Sequence, residues 1–123
     1  MLTPILATPD PYAAADEFVA NGWTLAYATP KDSGDRMAVV ELYGGQVMLG
    51  VDTEQFLPAA AREHRGAGVQ FYVEVPADVI DAVHATHRDP GPIEPRAWGV
   101  RSFVVRLASY NFMVATAQGA ATG

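Results

Sequence analysis

Apolar and polar residues alternate most cleanly at Val69-Gln70-Phe71-Tyr72-Val73-Glu74-Val75. Successive side chains of a strand point to opposite faces, so this spacing predicts Val69, Phe71, Val73 and Val75 on a core face and Gln70, Tyr72 and Glu74 on the other. An amide, a phenol and a carboxylate in a row suit the wall of a wet cleft, or equally the solvated face of an ordinary antiparallel strand. A helix is expected directly afterwards, from Pro76 towards His87, with Val79, Ile80 and Val83 turned inward at helical spacing.

The remaining elements follow from the same periodicities. Leu2 to Thr8 is a short apolar strand that Pro4 confines to an edge or a beginning. Asp10 is placed to cap a helix whose first position is Pro11, which runs through Tyr12 to Ala20 and stops at Asn21-Gly22. Strands are expected at Trp23 to Ala28, Arg36 to Tyr43 and Gln46 to Val51, the last two joined by a tight turn at Gly44-Gly45. Asp52 to Arg65, broken by Pro58, is a short helix or a connection. After Asp89-Pro90-Gly91-Pro92 come strands at Ile93 to Arg96, Val100 to Leu107 and Tyr110 to Ala117. The order strand, helix, three strands thus occurs twice. The expected architecture is α+β, two βαβββ units whose sheets curl around a cleft with the helices outside. One domain spans 1–123, with a first unit at about 1–52, a connection at 53–66, a second unit at about 67–117 and a frayed tail at 118–123.

Composition narrows the function. With 123 residues and 50% hydrophobic content the chain can bury a core without disulfides, and it has no cysteine. No secretory or bilayer-spanning run is present, so the expected location is the cytoplasm and no membrane partner is expected. A formal charge of -6, with only 8 Lys and Arg, opposes a nucleic-acid partner and suits a cationic one.

Gly68-Val69-Gln70-Phe71-Tyr72-Val73-Glu74-Val75-Pro76-Ala77-Asp78 and Ala97-Trp98-Gly99-Val100-Arg101-Ser102-Phe103, running into Asn111-Phe112-Met113-Val114, resemble the vicinal oxygen chelate superfamily. That group holds glyoxalase I, extradiol dioxygenases, fosfomycin-inactivating thiol transferases and the bleomycin resistance proteins. The family's usual Asp-Pro-x-Gly turn is replaced here by Leu107-Ala108-Ser109-Tyr110. The resemblance puts the family's metal-ligand positions near Thr3, Gly50, Gln70 and Val114, none of which is His, Asp or Glu, so no metal, no other cofactor and no catalytic residue is expected.

Other constellations are weaker. His84 and His87 stand at i and i+3, His64 lies in a charged loop, and Glu41 and Glu74 are either a carboxylate base or charge lining. What remains is a set of flat and acidic side chains: Glu41, Tyr43, Gln70, Tyr72, Glu74, Trp98 and Phe112 as ligand-binding residues, with Trp23 and Tyr110 as further rings to reach the opening. Such a set suits a planar aromatic or cationic small molecule. The resemblance implies a metal-independent antibiotic-binding protein that confers resistance by sequestration, as a homodimer. The alternative is a superfamily enzyme, a lyase, isomerase or thiol transferase.

Overall fold

Asp10 sets the first helix. Its backbone is extended and its carboxylate accepts from the amides of Tyr12 at 3.0 Å and Ala13 at 3.4 Å, while Pro11 occupies the first helical position, where no amide hydrogen is needed. The helix ends at Asn21, and Gly22 follows with φ +93, a conformation that favours glycine. A Cβ at Gly22 would also lie 2.5 Å from Thr86 Oγ1, so the small residue is required twice. The computed structural model describes residues 2–117; the expected frayed tail lies outside the described residues.

Two units of the same order result. The first comprises β1 (Ile5–Thr8), α1 (Pro11–Ala20), β2 (Thr24–Ala28), β3 (Ala38–Leu42) and β4 (Gly45–Val51). A 3-10 turn at Ala59–His64 leads to the second unit: β5 (Gln70–Val75), α2 (Ile80–Thr86), β6 (Glu94–Pro95), β7 (Arg101–Leu107) and β8 (Tyr110–Thr116). The sheets are ordered β1-β4-β3-β2 and β5-β8-β7-β6, each with one parallel pair and otherwise antiparallel neighbours. The α+β reading and the doubled βαβββ order hold; the sheets are open, neither closed into a barrel.

The hairpins explain how an unusual turn is tolerated. Tyr43 and Gly44 take φ +46 and +87, and Ala108 and Ser109 take φ +51 and +71, so both units use a turn with two left-handed central residues. The first turn is centred one residue earlier than the Gly44-Gly45 expectation. In the second, neither residue is glycine or asparagine, which stores strain.

A single core joins the units. Leu42, Val40 and Ala38 of β3, Val47 and Leu49 of β4 and Phe18 of α1 meet Val73, Val75, Phe103, Val105, Phe112 and Val114 of the second sheet. Phe18, Trp23 and Phe112 pack edge to face, with ring centroids 5.0 to 5.6 Å apart. Ile80 and Val83 bring α2 onto the same core. Both helices therefore contribute to the side opposite the one that carries Gln70, Tyr72 and Glu74. Val69, expected inward, stands before the strand and is half exposed, because Gly68 at φ +78 bends the chain just ahead of β5.

Polar contacts fasten the seam. Arg65 pairs with Asp52 through both guanidinium nitrogens, and Arg65 Nη1 and Tyr110 Oη donate to the carbonyl of Ala7 at 2.6 and 2.7 Å. The hydrogen bond from Arg65 holds the Asp52 carboxyl below its ordinary range, and burial pushes the Tyr110 phenol up. The connection read as a short helix or linker is thus anchored to β1. No helix among the described residues is long and apolar enough to cross a membrane.

Candidate functional site

The open face of the second sheet is built in rungs. Gln70 of β5 is opposite Asn111 of β8, which is opposite Arg106 of β7. Two residues further on, Tyr72, Met113 and Val104 form a second rung, and Glu74, Ala115 and Ser102 a third, which Glu94 of β6 extends. Strand alternation sends these residues away from the core that receives Phe71, Val73, Val75, Phe112, Val114, Phe103 and Val105.

A hairpin folds over the third rung. Arg96 N donates to the Val100 carbonyl at 2.7 Å and Gly99 takes φ +87, which closes a tight loop with Trp98 at its tip. Arg96 Nε donates to Ser102 Oγ, and Trp98 Nε1 donates to Tyr72 Oη at 3.2 Å. Two half-exposed aromatic rings, each 47% accessible, are therefore held together at the mouth of this face. Arg96 lies 3.8 Å from Glu94, which leaves Glu74 without an ion pair among the described residues. Beside the first rung lies a cavity of about 580 Å³, lined by Gln70, Asn111, Arg106, Val104, Gly91 and Asp89 among others.

Of the residues expected to bind a ligand, Gln70, Tyr72, Glu74 and Trp98 share this face. Glu41 and Tyr43 do not join them within the chain: both belong to the first sheet, where Glu41 Oε2 accepts from Gln46 Nε2 at 3.0 Å and Tyr43 occupies the exposed hairpin turn. Phe112 meets Tyr72 only where both line the recess at the seam. It alternates to the core side of β8, is 0% exposed and packs against Phe18, Trp23 and Phe71. Tyr110 has the same parity on β8 and is buried, and Trp23, just ahead of β2, is buried against Phe18 and Phe112. Asn111, Arg106, Met113 and Val104 were missed; alternation along β7 and β8 marks them as outward, but only the strand register sets them beside Gln70 and Tyr72.

Several recesses open on the described residues, and three of them bear on the expected site. The large cavity belongs to the second sheet, an apolar recess of about 370 Å³ lined by Ile5, Ala7, Gly50, Val51, Thr53 and Phe56 belongs to the first, and a smaller one of about 210 Å³ lies at the seam between Gln46 and Tyr72.

The superfamily's divalent metal does not fit these residues. On the open faces the last strand of each unit presents Gln46, Met48 and Gly50, or Asn111, Met113 and Ala115, with no carboxylate or imidazole among them. Val114, placed by the family pattern at a ligand position, points into the core. No group of three or more His, Cys, Asp or Glu is gathered among the described residues. His84 of α2 and His87, which follows its last turn, are engaged elsewhere. His84 Nε2 donates to the Gly91 carbonyl at 2.9 Å, and buried His87 accepts from Trp23.

Solved structures share this fold. TioX from Micromonospora sp. ML1 is 25% identical, with 94% of each chain covered and a TM-score of 0.69. A glyoxalase/bleomycin resistance protein/dioxygenase from Nocardioides is 19% identical over 94% of this chain and 82% of its own, with a TM-score of 0.65. TnmS3, an antibiotic binding protein from Streptomyces sp. CB03234, is 16% identical with 94% of both chains covered and a TM-score of 0.65. No protein-family model matches the sequence, and no curated protein sequence matches it. The resemblance to the vicinal oxygen chelate superfamily holds at the level of the fold.

Proposed function

We infer that this chain is a small-molecule binding protein of the bleomycin-resistance type, which confers antibiotic resistance by sequestering its ligand intact. The observation that carries this reading is the Trp98–Tyr72 pair, joined at 3.2 Å and half exposed above a sheet face with an unpaired carboxylate at Glu74. Flat rings held by a hydrogen bond lose little entropy when a planar ligand stacks on them, and the carboxylate adds attraction for a cation. TnmS3, of the same fold, is an antibiotic binding protein, which supports the reading. A metal-dependent enzyme asks for donors that the last strand of each unit does not provide, and an enzyme working without metal differs from this reading in the fate of the compound.

In this reading the functional unit is a homodimer. Ile5, Val51 and Phe56 expose apolar surface around the recess of the first sheet, which a second copy would cover.

A thermal-shift screen against glycopeptide and quinoxaline antibiotics, with mass spectrometry of the recovered compound, tests the proposal. A raised melting temperature with the compound recovered unchanged is expected. Conversion of the compound, or a stoichiometric tightly held divalent metal on the purified protein, would overturn it.

A further inference from the structure

Polarity changes in one direction along the open face of the second sheet. The first rung carries two amides and a guanidinium, Gln70, Asn111 and Arg106. The middle rung is apolar and aromatic, with Tyr72, Met113 and Val104, and Trp98 reaches over it. At the far end Glu74 and Glu94 outnumber Arg96. Strands advance about 3.3 Å per residue, so neighbouring rungs are about 6.6 Å apart and the outer two about 13 Å.

Arg106 is the informative residue. Its side chain is exposed on the wall of the 580 Å³ cavity, and among the described residues it has no ion pair, although Asp89 lines the same cavity. A guanidinium presents a rigid fork of donors that matches the two oxygens of a carboxylate, and the neighbouring amides add donors of the same polarity. In a chain with an acidic balance of -6, an unpaired arginine flanked by amides is a place where an oxyanion is welcome.

We propose that the Gln70–Asn111–Arg106 rung is a subsite for a carboxylate on the ligand, so that a flat amphoteric molecule lies along the strands with its anionic end at Arg106 and its cationic end at Glu74. This rests on the reading of the Trp98–Tyr72 face as a small-molecule site and adds to it an orientation and a second charge. The ligand class is then an aromatic amino acid or a carboxylate-bearing cationic heterocycle rather than a simple cation.

Three probes on one ring system separate the possibilities: 2-naphthoate, 2-naphthylmethylammonium and 6-(aminomethyl)-2-naphthoate, titrated calorimetrically against the full chain and its variants at low salt. Arg106→Gln should weaken the naphthoate and the amphoteric probe on the order of tenfold and leave the ammonium probe unchanged. Arg106→Lys, which keeps the charge but not the fork, should recover part of that loss. Glu74→Gln should show the reverse preference. If Arg106→Gln affects naphthoate no more than ammonium, while Glu74→Gln still weakens the ammonium probe, the carboxylate subsite is overturned and the sequestration reading survives. If none of the three binds the wild-type protein, both are overturned.

Discussion

Trp23 Nε1 donates to His87 Nε2 at 3.0 Å across 64 positions of sequence, inside the core that the two βαβββ units share. Since Nε2 is an acceptor, Nδ1 carries the proton and donates to the Val83 carbonyl at 2.8 Å. Both ring nitrogens are satisfied in the neutral form only. Burial lowers the His87 pKa from its ordinary value of 6.5, and nearby His84 adds to the effect.

A pH dependence follows with a definite sign. The unfolded chain binds a proton at His87 near pH 6.5, whereas the folded chain resists it until lower pH, so the stability from neutral His87 is complete above 6.5 and is lost as pH falls through the folded value. Denaturant midpoints measured between pH 8 and 5 should decline below about 6.5, with a slope of at most about 1.4 kcal/mol per pH unit from this group. In His87→Gln that component of the slope should vanish.

Trp23→Phe keeps a ring in the Phe18–Phe112 cluster but strands the His87 acceptor. The expected cost is on the order of 1–3 kcal/mol, read from chemical denaturation. A neutral outcome would mean that water reaches His87.

The strained hairpin should be improvable. Ser109 takes φ +71 without being glycine, so Ser109→Gly should stabilise the fold by about 1 kcal/mol, visible as a higher melting temperature. Gly22→Ala should do the opposite, because a Cβ there meets Thr86 Oγ1 at 2.5 Å.

Binding contributions should separate by salt. Trp98→Ala removes a stacking surface and is expected to cost on the order of 1–3 kcal/mol in affinity for whichever compound stabilises the protein, with little change between low and high salt. Glu74→Gln should cost roughly 0.2–1 kcal/mol, shrinking as salt screens the charge. Affinity unchanged from the wild type in both variants would remove the site from this face.

Local rules carried most of the architecture. The Asp10-Pro11 start, the Asn21-Gly22 stop and the Val69 to Val75 alternation are properties of a few adjacent residues, and each element they announce is present within a residue or a few. Pairing register is not local. Asn111 and Arg106 join Gln70 only because β8 runs between β5 and β7, and Phe112 is turned away from that rung because its parity on β8 sends it to the core. The segment from Asp52 to Arg65, expected as a short helix or a connection, is not legible locally for a related reason, since what orders it is an ion pair across 13 residues and a carbonyl 58 residues away.

That carbonyl has a further meaning. Ala7 is on β1, the outer strand of the first sheet, which is hydrogen-bonded to β4 on one side alone. A bare strand border invites another chain to extend the ladder, the usual route to runaway stacking. Here Arg65 and Tyr110 occupy both lone pairs of the Ala7 oxygen, and the nearly enclosed Asp52–Arg65 pair seals the approach. An incoming strand therefore finds no free acceptor at Ala7, and the ladder of the first sheet cannot be extended through this point of its border.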